Sequence, residues 1–190
     1  MRSHKKSLIV LGLLLNEIIA FPAHAQEDDP TKLEASRIRV FGQNGVFVKF
    51  YKNSSCAGGK ALTVSGSFGS AFRSFVGASS NVSIGMPDTP NVENIAKRDG
   101  LLSKAYFREY TIVPGSPVTL TMAFQSNPSS NSYIYCKKFS ATFIPEPGKD
   151  YEAALDIEPG LCIPRINEIV VRDDAVELSP VNVEAAAECS

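Results

Sequence analysis

The chain has 190 residues, 21% of them charged and 44% hydrophobic, with no tryptophan, four cysteines and a net charge of −1. That balance lacks the clustered basic excess that nucleic acid or anionic lipid calls for. The two histidines, His4 and His24, both lie before Gln26. A chain that loses that segment has no imidazole for Ser-His-Asp, Cys-His or histidine–zinc chemistry.

Arg2, Lys5 and Lys6 precede an apolar run at 8–15, and Ala23-His24-Ala25 forms a small-residue cleavage pattern. This order predicts a secretory signal peptide over 1–25, with the mature protein periplasmic or secreted. A membrane anchor is the competing reading, but a spanning helix needs about 20 apolar residues. Asn16, Glu17 and Pro22 interrupt this run too early. Cleavage removes three basic residues and one acid from totals of 19 and 20, which leaves a net charge of −3. Partners are therefore expected among proteins, envelope components or small ligands rather than nucleic acid.

Residues 26–35 read as a polar, mobile leader. Residues 36–42 form a strand, and Asn44-Gly45 is a hairpin signal before a second strand at 46–52. A short strand is expected at 61–64. Residues 66–80 are poor in charge and carry Phe68, Phe72 and Phe75. They fit either an apolar binding loop or a loop whose rings tuck onto the core edge. A strand resumes at 81–86. Thr89-Pro90 then reads as an N-cap with proline at the first helical position. Val92, Ile95 and Ala96 supply an apolar face, Lys97 and Arg98 suit the C-terminal end, and Gly100 can terminate the helix. Asn53 and Asn81 each begin a glycosylation sequon, relevant only to a eukaryotic source.

The stretch 85–110 concentrates polar and aromatic groups on a loop between strands. Arg98, Asp99, Tyr106, Arg108 and Tyr110 are its candidate binding residues, because tyrosine and arginine anchor many interfaces. The competing reading is a crossover that merely caps a helix and enters a strand. After the Pro114-Gly115 turn, Val118, Leu120, Met122 and Phe124 alternate with Thr119, Thr121 and Ala123. That is a half-buried strand, followed by a polar loop at 125–132.

Between Cys136 and Cys162, Phe139, Ala141 and Phe143 alternate with polar residues, as do Tyr151, Ala153, Leu155 and Ile157 beyond Pro145-Glu146-Pro147-Gly148. The pattern predicts a hairpin in which Phe143 opposes Tyr151 and Lys138 opposes Asp156. Both cysteines then share the outward face. Asp150, Glu152, Asp156 and Glu158 on that face read as solvated carboxylates. An acid/base pair or a calcium site is the rival, but no D-x-D-x-D-G loop accompanies them. A last strand at 165–171 precedes an acidic tail at 173–190.

Four cysteines in an exported chain imply two disulfides, of which three pairings exist. The proposed hairpin favours Cys136–Cys162 with Cys56–Cys189. No C-x-x-C pair supports a zinc or thioredoxin-like role. Serine-hydrolase, dinucleotide and phosphate-loop motifs are absent. No catalytic residue, metal ligand or cofactor is assigned. A glycosidase-like carboxylate pair would not show in sequence spacing.

The F-x-P-x-P-G-x-x-Y core (Phe143, Pro145, Pro147, Gly148, Tyr151), with the IGMPDTPN and AYFREY segments, resembles uncharacterised exported proteins of Gram-negative bacteria. The resemblance spans 36–171. It implies a periplasmic β-sandwich and carries no activity to transfer. The expected fold is all-β, a single antiparallel β-sandwich of immunoglobulin or transthyretin type over 36–172 with one short helix. The expected function is non-enzymatic binding, with a carboxylate-dependent hydrolase of envelope glycans as the alternative.

Overall fold

The computed structural model describes residues 34–43, 45–65, 80–99, 104–126, 134–158 and 161–190. The expected signal peptide, most of the expected leader and the phenylalanine-rich segment lie outside the described residues. Among those described, no helix is long and apolar enough to cross a membrane.

The chain is all-β. β1 (Ser36–Gly42), β7 (Asp150–Glu158), β8 (Leu161–Arg172), β9 (Ala175–Pro180) and β4 (Tyr106–Ile112) build the first sheet, in the order β4-β1-β7-β8-β9. β2 (Val46–Lys52), β3 (Leu62–Ser65), β5 (Val118–Gln125), β6 (Tyr135–Phe143) and β10 (Glu184–Ala185) build the second, in the order β10-β6-β5-β2-β3. Pairing is antiparallel except between β1 and β7, which run parallel. That pair departs from the expected antiparallel arrangement. The two sheets enclose one apolar core, in which Ile38, Val40, Val48, Phe50, Leu120 and Met122 are completely buried.

Two predicted hairpins are instead crossings between the sheets. β1 and β2, joined through Asn44-Gly45, lie in different sheets, as do β6 and β7. Phe143 and Tyr151 do meet, with ring centroids 4.9 Å apart, but across the core rather than side by side. Alternation reports only that one face of a strand is buried. A strand buried against its own hairpin partner's sheet and one buried against the opposite sheet share the same period. The linker 144–149 holds two prolines, which cannot donate to a ladder. Gly148, at φ 68°, takes a conformation that a side chain disfavours, and its N–H donates to the Glu34 carbonyl at 3.1 Å. The consecutive strands that pair antiparallel are β2 with β3, β5 with β6, β7 with β8 and β8 with β9. The last of these hairpins turns on Asp173 and Asp174, both at positive φ, as a two-residue turn matched to strand twist requires.

The orientation of Cys136 also differs from expectation. A bulge lets Lys137 and Lys138 together oppose Ala123 alone, because Met122 pairs with Phe139 and Phe124 with Cys136. One extra residue reverses the side on which later side chains fall. Cys136 is therefore 2% exposed and part of the core, not on the outward face with Lys138. Its disulfide to Cys162 on β8 ties one sheet to the other, with Cα atoms 5.7 Å apart.

Three smaller differences follow the same logic. Residues 81–86 make only a single bridge, Val82 to Arg108, along the edge of β4. The expected helix is one α-turn, α1 (Pro90–Glu93), followed by a 3-10 turn at Ile95–Arg98. Residues 173–190 are no separate tail: they contribute β9 to one sheet and β10 to the other. Leu178 pairs with Ile169, and Val181 and Val183 pack on the core. The acidic side chains that mark the segment point to solvent, so its net charge concealed three apolar contacts.

The second disulfide joins Cys56 to Cys189, with Cα atoms 5.1 Å apart. It fixes the C-terminus over the outer face of the second sheet, where Ala57 bridges Glu188 and Lys138 pairs with Glu188. Thr119 below is fully buried and donates to the Ser54 carbonyl at 2.7 Å. In the chain-entropy model the bridges, with separations of 26 and 133, contribute about 3.5 and about 5 kcal/mol. Thiol titration of the purified mature protein in denaturant without reductant should therefore find no reactive thiol, and four after reduction. The Cys56→Ala/Cys189→Ala variant should lose more stability in urea than Cys136→Ala/Cys162→Ala.

Candidate functional site

The outer face of the first sheet carries charge where burial is complete. Arg39 on β1 stands between Glu109 on β4 and Glu152 on β7, its paired residues in the ladder. The Arg39 and Glu109 side chains are 0% exposed and that of Glu152 is 1% exposed. Arg39 Nη2 donates to Glu109 Oε1 at 2.6 Å, Nη1 to Glu152 Oε2 at 3.4 Å, and Nη2 also to the Pro87 carbonyl at 2.9 Å. Its guanidinium lies 5.0 Å from the Phe107 ring centroid. The segment 82–92 roofs the group and supplies the remaining donors. Ser83 Oγ and the Ile84 and Met86 N–H groups donate to Glu109 Oε2. Thr89 Oγ1 and Asn91 Nδ2 donate to Glu152, each at 2.6 Å.

Burial pushes the Glu109 carboxyl upward, but the donors from Ile84, Arg39, Ser83 and Met86 outweigh it and hold the group below its ordinary value. This is the reverse of what a general acid needs. Glu152 is thus no solvated surface acid, as its outward parity implied. An outer face becomes an interior wherever a crossover lies on it, and parity cannot report that. With every carboxylate oxygen engaged and all three side chains buried, the cluster ties β1, β4 and β7 to the crossover above them.

The five candidate binding residues do not converge. Arg98, the last residue of the 3-10 turn, pairs with Asp156 at 2.6 Å, donates to Asn91 and lies over Phe41 on the outer face. Asp99 caps the chain by accepting from the Ala105 N–H at 2.7 Å. Tyr106, Arg108 and Tyr110 share the opposite, inward face of β4. Tyr106 is 5% exposed and donates to the Val64 carbonyl at 2.7 Å, which ties β4 to β3. Tyr110 packs on Phe50 at 5.3 Å, with the Lys52 ammonium 5.5 Å from its ring. Burial raises both phenols above their usual range. Arg108 Nε is buried with no hydrogen-bond partner among the described residues. Tyr106 is thus a buried core residue that bonds a neighbouring strand rather than an exposed anchor.

Concavity lies elsewhere. A groove of about 570 Å³ opens at one end of the core, where the chain crosses from β9 to β10. Phe143, Tyr151 and Val181 form its apolar floor, with Pro117, Ile144 and Pro180 on the rim. The inward positions of β8 change from Ile166, facing Ala153, to Glu168, facing Tyr151. There the core gives way to the groove. Glu146 and Glu184 complete the acidic lining. The Tyr151 hydroxyl, on a side chain nearly inaccessible to solvent, accepts from the Glu146 N–H at 2.8 Å. Burial raises its phenol as well, partly offset by the hydrogen bond from the Glu146 N–H, while the Glu146 and Glu168 charges push it further up. Lys149 donates to Glu168 at 2.7 Å. The volume matches that of ordinary ligand sites.

Sequence reasoning did not single out this groove as a site. Its one legible signal was the Phe143-to-Tyr151 motif, whose prolines and glycine shape the crossing that forms the floor. The wall from Pro180 to Glu184 belongs to the segment read as a tail. Among the described residues, no group of three or more His, Cys, Asp or Glu is arranged to hold a metal ion.

Arg39→Ala should destabilise the protein by about 3–5 kcal/mol in urea titration, since it leaves two buried carboxylates without their counter-ion. Because Glu109 is depressed in the folded state, the unfolded chain takes up its proton first as pH falls. Its contribution is complete above the unfolded value of about 4.3 and is lost as pH drops through the folded value. Denaturation midpoints followed from neutral pH into that acid range should therefore fall, and Glu109→Gln should flatten the fall. No protein-family model and no curated protein matches the chain.

Proposed function

We propose that the chain is an exported, non-enzymatic binding protein, a β-sandwich of immunoglobulin or transthyretin type. In this reading it holds a protein segment, an envelope component or a small ligand in the groove between β6, β7, β8 and the β9–β10 crossing. Export is supported by the basic-apolar-small order of residues 1–25 and by four cysteines joined in two disulfides, which persist in oxidising compartments. The observation that carries the binding role is the groove itself, an apolar floor with a few polar groups on a disulfide-braced scaffold. Rigid elements position such sites better than loops do.

A carboxylate-dependent glycan hydrolase is the second reading, favoured by one fact: Glu146, Glu168 and Glu184 line the same groove. Two carboxylates flanking a glycosidic bond are the minimum for that chemistry. Against it, Glu168 is already held by Lys149.

The test uses the periplasmic product, whose N-terminus should be Gln26. Ligand retained by the wild type from an envelope extract should be lost by Ile144→Asp/Glu184→Arg, because both side chains lie exposed on the groove rim. The thermal midpoint should stay within about 2 °C, as expected for surface substitutions. Equal retention by wild type and variant would remove the groove from the proposal. Turnover of a soluble glycan that disappears in Glu146→Gln or Glu184→Gln would favour the hydrolase.

A further inference from the structure

We propose that the groove receives an extended, basic peptide segment, its cationic side chains set against Glu146 and Glu184 and its apolar side chains on Phe143, Ile144 and Val181. This deepens the binding reading above and rests on it. Three observations converge. The first is charge. Three carboxylates line the groove, and Lys149, though close enough to feel the Glu146 charge, forms its ion pair with Glu168. Glu146 and Glu184 have no ion-pair partner among the described residues. An occupant with positive charge satisfies both, and a neutral or anionic one leaves them facing it at close range.

The second observation is the apolar surface between those charges. Ile144 is 64% exposed on the rim. Pro117, Pro180 and Val181 extend the surface. Lysine and arginine offer both parts, an aliphatic stem and a charged head. A bare polyamine has no branched side chain to cover Ile144. A peptide that alternates basic and apolar residues matches the mixture.

The third is unused hydrogen-bonding capacity. Tyr151 lines the groove and its hydroxyl accepts from the Glu146 N–H, while its own proton has no acceptor among the described residues. A peptide carbonyl would take it. β10 is the end strand of its sheet and pairs with β6 on one side only. Its other edge, beside Glu184, presents backbone groups of the kind that extended peptides pair with.

The probe is an acetylated, amidated peptide alternating lysine with valine, titrated into isotope-labelled mature protein and followed by amide chemical shifts. Serine/valine and glutamate/valine counterparts and spermidine are run beside it. The lysine peptide should bind and move the resonances of Phe143, Glu146, Tyr151, Val181 and Glu184. Its affinity should fall about tenfold in Glu146→Gln/Glu184→Gln, and by a similar factor on raising NaCl to about 0.5 M, the result expected of partly exposed charge pairs. Equal binding by the serine peptide, no loss in the glutamine variant, or spermidine binding as tightly as the peptide would each overturn the basic-peptide assignment. Where the serine or glutamate peptide moves the same groove resonances more strongly, the groove remains a binding site with a different ligand. If no peptide moves them while the wild type still retains an envelope ligand lost in the rim variant, this assignment alone falls. If the rim variant also retains that ligand, both readings fall.

Discussion

A single guanidinium buried between two carboxylates organises the first sheet. Arg39 belongs to the strand that pairs with both β4 and β7, so its two ion pairs mark both of that strand's neighbours. An arginine in an apolar wall is costly unless it is paired and hydrogen-bonded. Here its partners are supplied from three separate parts of the sequence: β4, β7 and the segment 86–87. The strand order in which Glu109 and Glu152 flank Arg39 satisfies all of them. Replacement by apolar residues of similar size could stabilise the sheet as well. What the charged version adds is a requirement that Ser83, Thr89 and Asn91 close over it. The crossover 82–92 is thereby fixed to a sheet that it scarcely joins by backbone pairing.

The opposite side of the molecule solves a different problem. Sheets have edges, and exposed edges invite unwanted pairing. After β9 the chain leaves the first sheet and adds β10 to the second, so the last segment spans one open side of the core. Val181 and Val183 complete the apolar interior there, and Cys56–Cys189 anchors the end beyond them. The crossing seals the core along most of its length and leaves the groove at one end. Structure and site thus arise from the same segment: the residues that close the core also form a wall of the cavity. The other disulfide, Cys136–Cys162, joins the two sheets directly, whereas Cys56–Cys189 reinforces a contact that the Ala57 backbone also makes with Ala187 and Cys189.

Much of the local structure was readable from the sequence. The period-two runs at 118–124 and 151–157 are strands that bury Val118, Leu120, Met122, Tyr151, Ala153 and Leu155, as their alternation marks; those at 36–42 and 46–52 are strands too, although the sequence left their inward side open. Thr89 caps a helical turn beginning at Pro90, with its side chain accepting from the Val92 N–H. The cysteine pairing agrees with the expectation, although the hairpin argument behind it does not hold. The reason is instructive: Cys136 and Cys162 meet across the core because a bulge turns Cys136 inward, whereas the expected register placed both cysteines outside. Of the candidate site, only the Phe143-to-Tyr151 motif was visible beforehand. Tyr106 and Tyr110 looked like interface anchors because amphipathic aromatics serve core edges and interfaces alike.

The order of residues by itself determined which stretches extend, which side of the cleanly alternating strands is apolar and where the chain turns. These are local properties, set by backbone sterics, side-chain period and short-range capping. Only the tertiary structure decided which strands are neighbours, which outward faces are roofed and where a cavity remains. Glu152 shows why. Its position in an alternating strand is the same whether water or Thr89 lies above it, and the difference depends on a segment more than sixty residues away in the chain. Burial of charge and the opening of a groove are properties of how layers meet, and no period within a single strand encodes that meeting.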